Sequence, residues 1–189
     1  MIAGFRQGLP GIKHEHDRTN IMLKRTITLA LVLAGSCLAA HAQPSLRDLV
    51  NEAQAEWMMG TWEGPTDDGQ TLTHTFAWDL DKKIIVMKGK VGDMAYLGIT
   101  AIDPETGEPK YSGYDSQGTV SKGTWSEESG DVALRIDGHS PTEGKRKIGV
   151  VFGKASGGGL QLRMHGVDQW GYLQYPAAMT INLKKKAGK

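Results

Sequence analysis

The feature that most constrains this chain is its punctuation. Beyond residue 65 it breaks into short runs closed by glycine, aspartate or proline: Asp67-Asp68-Gly69, Gly92-Asp93, Asp103-Pro104, Asp115 to Gly118, Glu127 to Gly130 and Gly157 to Gly159. Between these turn signals the runs alternate in polarity. In Gln70 to Trp78, Leu72, His74, Phe76 and Trp78 share one face, while Thr71, Thr73, Thr75 and Ala77 share the other. A period of two means a pleated strand with one buried face. The further runs are 83–90, 94–103, 109–115, 118–127, 131–137, 145–152, 160–167 and 178–183. Only Pro44 to Glu56 has helical spacing, through Leu46, Leu49, Val50 and Ala53, with Ser45 as its N-cap.

Many short strands must stack as two sheets or close on themselves, because open edges invite aggregation. The connections here are short, so consecutive strands pair with their sequence neighbours. The expectation is an all-β fold: an antiparallel up-and-down β-barrel of about eight to ten strands with a short N-terminal helix. Gly138–Gly144 and Asp168–Pro176 are the longest connections expected, and either could fringe an opening. The organisation read from the chain is a helix at 43–56, a barrel at 57–184 and a basic tail at 185–189, the tail read as a solvated end.

Ahead of the helix lies a leader. Lys24 and Arg25 precede an apolar stretch from Ile27 to Ala34, and Ala40-His41-Ala42 stands before Gln43. This predicts a secretory signal peptide at 22–42, cleavage after Ala42, and a periplasmic or secreted destination. Residues 1–21 read as an extension ahead of a natural start at Met22. The apolar stretch falls short of the ~20 residues a spanning helix needs, so no transmembrane anchor is expected. The single cysteine, Cys37, sits in Ala34-Gly35-Ser36-Cys37, which makes a lipoprotein the alternative. Otherwise residues 43–189 lack thiol chemistry and must be held by their own core.

With 22 basic and 21 acidic side chains in the whole chain, no basic excess marks a phosphate-binding face, and nucleic acid is not an expected partner. No Gly-x-Ser-x-Gly marks a nucleophile, and the glycines at 157–159 open no helix and precede no Lys-Ser/Thr pair. Asp67-Asp68 and Asp79-x-Asp81 are explained by turn chemistry, and no metal is expected.

The segment Trp57-Met-Met-Gly60-Thr61-Trp62-Glu63-Gly64 resembles the Gly-x-Trp first strand of lipocalins and wider calycin-type barrels. Tyr96-Leu-Gly-Ile and Tyr111-Ser-Gly-Tyr114-Asp115 resemble secreted bacterial lipocalin-like proteins, including a DUF1579-type group. The resemblance covers roughly residues 55–137. It implies an internal cavity, with Gly60 and Trp62 closing one end of the barrel and Trp62 packed on a basic side chain from a late strand, for which Arg163 or Lys184 are available. Haem-binding nitrobindin-type barrels share the Gly-x-Trp-x-Gly spacing, although Pro65-Thr66-Asp67-Asp68 replaces their glycine-rich continuation.

Of the histidines at 74, 139 and 165, only His74 falls on an apolar face. His139 reads as a loop residue and His165 as solvent-facing. The candidate lumen is Leu72, His74, Phe76, Trp78, Met87, Met94 and Tyr96: an apolar wall with one polar point. The expected partner is a small hydrophobic or amphipathic molecule, bound without catalysis. Two other readings stand beside it: an envelope interaction or structural domain whose loops meet a protein or polymer, and a haem protein or enzyme using His74.

Overall fold

The computed structural model describes residues 43–187. The expected leader, its expected cleavage after Ala42 and Cys37 lie outside the described residues. Among the described residues, no helix is long and apolar enough to cross a membrane.

Ten strands follow one short helix, α1 (Leu46–Glu52): β1 (Gly60–Pro65), β2 (Thr71–Asp79), β3 (Ile84–Val91), β4 (Met94–Ile102), β5 (Pro109–Asp115), β6 (Val120–Glu128), β7 (Asp131–Ser140), β8 (Gly144–Ala155), β9 (Gly159–Gly166) and β10 (Met179–Lys185). Each pairs antiparallel with its chain neighbour, and β1 pairs with β10 to close the barrel. The closing seam is short. It joins Trp62 to Lys185 and Glu63 to Lys184, and the Lys186 amide extends it by donating to the Thr61 carbonyl at 2.8 Å. Lys186 Nζ also pairs with Glu63 at 2.8 Å. Lys185 and Lys186 are therefore built into the barrel and are not a free end.

Alternation decides which side chains enter. On β2, Leu72, His74 and Phe76 are buried and their neighbours are not. The helix is shorter than its apolar spacing suggests. A capping box starts it, with the Ser45 hydroxyl accepting from the Asp48 amide and the Asp48 carboxylate accepting from the Ser45 amide. It stops at Glu52, and Gln54 takes a left-handed φ of +50°. The chain then turns so that Ala55 and Met58 join Leu46 and Val50 against the barrel.

Two connections differ from expectation. β7 and β8 stay paired out to Ser140 and Gly144, so the expected 138–144 loop is a tight hairpin and His139 is a strand residue opposite Lys145. The 167–178 segment does not fringe the opening. It folds back over the outer wall, where Leu173 packs with Ala133, Val151 and Val167. Gly149 leaves the space Leu173 needs, because a Cβ there would lie 2.1 Å from Leu173 Cδ2. His165 is buried beneath this segment at 3% exposure, in contrast to the solvent-facing position expected. Its Nδ1 donates to the Gln174 carbonyl at 2.9 Å.

Candidate functional site

The two ends of the barrel are chemically different. The amino-terminal helix seals one end, and Trp62 is the pivot there at 2% exposure. Its indole N–H donates to the Met58 carbonyl at 2.7 Å, Trp57 meets it edge-on, and the Lys185 ammonium lies 5.2 Å from its ring centre. The basic partner is thus Lys185, and neither Arg163 nor Lys184 fills that place. Arg163 is held by Asp131, and Lys184 lies opposite Glu63 on the other face of the strand. Gly60 makes the contact possible, since a Cβ there would fall 2.8 Å from Lys185 Cε, and its φ of +119° disfavours any other residue.

The β1–β2, β3–β4, β5–β6 and β7–β8 turns gather at the opposite end, around a cavity of about 720 Å³. Its walls are apolar, built from Leu72, Met87, Leu134, Val150, Leu162 and Met164. Its rim carries Asp67, Asp68, Asp93, Asp115 and Glu143 against a single arginine, Arg146. Asp68 and Asp115 are tied into turns: Asp68 accepts from Thr66 and Gln70, and Asp115 from the Gln117 and Thr119 amides. These bonds hold the Asp68 carboxyl below the usual carboxylate range. The Asp115 carboxyl also lies low, because its backbone bonds outweigh the opposing effect of burial.

Of the seven side chains read from the sequence as a lumen, Leu72, His74, Met87, Met94 and Tyr96 line this cavity. Phe76 lies deeper, in a second recess of about 710 Å³ between the barrel and the helix. Trp78 lies toward the closed end, where its indole N–H reaches the Glu56 carboxylate at 3.2 Å. A layer of rings separates the two spaces. Phe152 lies 5.3 Å from Phe76, 5.8 Å from His74 and 6.0 Å from Trp125 between ring centres.

His74 is the polar point of the floor. It is 1% exposed, and burial pulls its pKa down to about 3. The imidazole is therefore neutral at physiological pH. Its Nδ1 lies 2.5 Å from the Tyr96 hydroxyl. Counting donors sets the direction of that bond. If Nδ1 donated, the phenol proton and the Nε2 lone pair would both lack partners; if Tyr96 donates, only the Nε2–H does. We therefore assign the proton to Nε2, which has no hydrogen-bond partner among the described residues. Burial also raises the Tyr96 phenol well above its ordinary range, so it stays a donor.

A pH dependence follows. The folded state resists protonating His74 down to about pH 3, whereas the unfolded chain takes the proton near pH 6.5. The unfolded chain thus binds more protons in between, and this contribution to stability is complete above that window and lost as pH falls through it. Urea unfolding should show a loss of about 1.4 kcal/mol per pH unit from this group between pH ~6 and ~4. His74→Phe should lack that component while keeping the losses due to the low-pKa carboxylates. Equal pH slopes in the two proteins would mean the ring is not responsible.

Several residues of the site escape a sequence reading. Tyr111, Leu134, Val150, Phe152 and Met164 come from four separate strands, and only register brings them together. One signal was legible: glycines inside strands, which mark close approach. Gly89 leaves room for Tyr96, and Gly98 and Gly113 for Tyr111; a Cβ at these positions would lie 1.9, 2.1 and 2.2 Å from the respective rings or hydroxyl. The tyrosines therefore lie flat against the wall and leave the centre open. No group of three or more His, Cys, Asp or Glu among the described residues could hold a metal ion. Compared with known proteins, the chain matches no family model and no curated protein.

Proposed function

We propose that this is an exported, lipocalin-like barrel that binds a small apolar or amphipathic molecule in its lumen. The observation that carries the reading is the cavity of about 720 Å³, open at one end and sealed at the other, with apolar walls and, at its floor, a buried imidazole whose Nε2 has no partner among the described residues. Ligand sites commonly pair mostly apolar walls with a few placed polar groups. The Gly60–Trp62–Lys185 closure supports the lipocalin-like part of the reading. The test is titration with N-phenyl-naphthylamine, a neutral dye that brightens in apolar surroundings. The wild type should bind it saturably, and Leu134→Trp, which fills the lumen, should weaken binding by about tenfold or more. A dye signal unchanged by Leu134→Trp would place the dye elsewhere and end the proposal.

Haem competes for the same histidine. An iron would need the Nε2 lone pair, which the Tyr96 bond assigns a proton, and propionates at the rim would meet five carboxylates and one arginine. A Soret band on adding haem, abolished in His74→Ala, would replace the carrier reading. A second reading, contact with an envelope protein or polymer, draws on Trp170, Tyr172 and Tyr175, all exposed on the 167–178 segment. The Asp168 carboxylate accepts from the Trp170 and Tyr172 amides, and Arg135 donates to the Gly171 carbonyl, so these rings are presented on a braced loop. Trp170→Ser with Tyr172→Ser should leave dye binding intact.

A further inference from the structure

Resting on the carrier reading, we infer that the guest is an amphiphile with an acceptor oxygen at its buried end and an amine or ammonium at the mouth. Two independent features converge on this class. The first is the floor. His74 lines the cavity with its ring centre 5.8 Å from that of Phe152, is almost wholly buried, and its Nε2, to which the proton is assigned above, has no partner among the described residues. A buried donor without a partner is costly, and a hydroxyl or carbonyl oxygen on a guest removes that cost. The second is the mouth. Asp67 and Asp93 are exposed there beside the turn-bound Asp68 and Asp115, and Glu143 pairs with the one arginine, Arg146, at 3.0 Å. The rim therefore keeps an excess of negative charge that attracts a cationic head and repels a carboxylate.

The dimensions suit one molecule reaching both features. From His74 back to Gln70 at the rim, the strand covers about 13 Å at ~3.3 Å per residue, a span suited to a medium-length alkyl chain. Between the two polar points the walls are mainly Leu, Ile, Val and Met side chains, so the middle of the guest must be largely apolar. A fatty acid satisfies neither end well. Head outward, its carboxylate faces the acidic rim. Head inward, it must shed water against a histidine too deeply buried to take a proton.

The test displaces the dye with four compounds of one chain length: ω-aminododecanol, dodecylamine, dodecanol and ω-hydroxydodecanoate. The amino-alcohol should bind tightest. Its hydroxyl should contribute about fivefold over dodecylamine, the worth of one buried hydrogen bond. Its amine should contribute on the order of tenfold over the hydroxy-carboxylate at low salt, and this ratio should narrow as salt screens the rim. His74→Phe should erase the hydroxyl advantage and keep the amine preference. Asp67→Asn with Asp93→Asn should do the reverse. If His74→Phe fails to fold, the NMR shift of the wild-type His74 Nε2 nitrogen serves instead, moving with the amino-alcohol and not with dodecylamine.

Dye binding with equal affinity for all four compounds, or with the hydroxy-carboxylate preferred, overturns the inference and leaves the carrier reading standing. So does a hydroxyl advantage that survives in His74→Phe, because the Nε2–H would then simply rest on the Phe152 ring. Failure of the dye and all four compounds to enter removes both.

Discussion

Replacing Trp62 by Ala is expected to cost about 3–5 kcal/mol of stability, read as a lower urea midpoint for unfolding. The ring is almost fully buried where the barrel closes, and the loss has three parts. A cavity opens between α1 and the floor. The Met58 carbonyl, now served by the indole at 2.7 Å, loses its donor. The Lys185 ammonium, 5.2 Å from the ring centre, loses the aromatic face beneath it. Only the last part is shared by Lys185→Met, which should cost about 0.5–1 kcal/mol, the value of an exposed cation–π contact. Domains of this size hold only about 5–15 kcal/mol in total, so Trp62→Ala should bring the protein close to unfolding. A loss in Trp62→Ala no greater than in Lys185→Met would show that the end is held by the helix alone.

Phe152→Ala is expected to destabilise by a similar amount, about 3–5 kcal/mol, but to be rescued by a guest. Phe152 is 1% exposed and sits in the ring layer with Phe76, His74 and Trp125. Its removal thins the partition between the cavity of about 720 Å³ and the recess of about 710 Å³ behind it. An apolar guest that occupies the void restores part of the lost contact and stabilises the folded state by mass action. The melting temperature of Phe152→Ala should therefore rise more with saturating dye than that of the wild type. An equal rise in both proteins would mean that Phe152 is packing remote from the bound molecule.

Local pattern carries much of this protein. The alternation through Leu72, His74 and Phe76, and the glycine and aspartate turns, suffice for an antiparallel barrel of about eight to ten strands and for an inward His74. They also locate a short helix, though not its early stop at Glu52, where Gln54 turns left-handed. Beyond the helix end and the 138–144 hairpin, the errors are ones of partner or of place. His165 lies on the outward face of its strand, as its spacing requires, yet the segment that follows it folds back and covers it. Trp62 has its basic partner, but the register of β1 with β10 selects Lys185. Trp78 shares the face of His74 and still lies at the other end of the barrel, because a strand's inner face runs the full height of the wall.

By itself, then, the amino-acid sequence determined the strands, their up-and-down order, and which side chains face inward, since a period of two is a property of each segment alone. Tertiary structure decided that the interior is open at one end, that Phe152 meets His74, and that five acidic side chains from four turns share one rim. Those facts depend on the registers of ten strand pairs summed around a closed ring. No short stretch of chain encodes that sum.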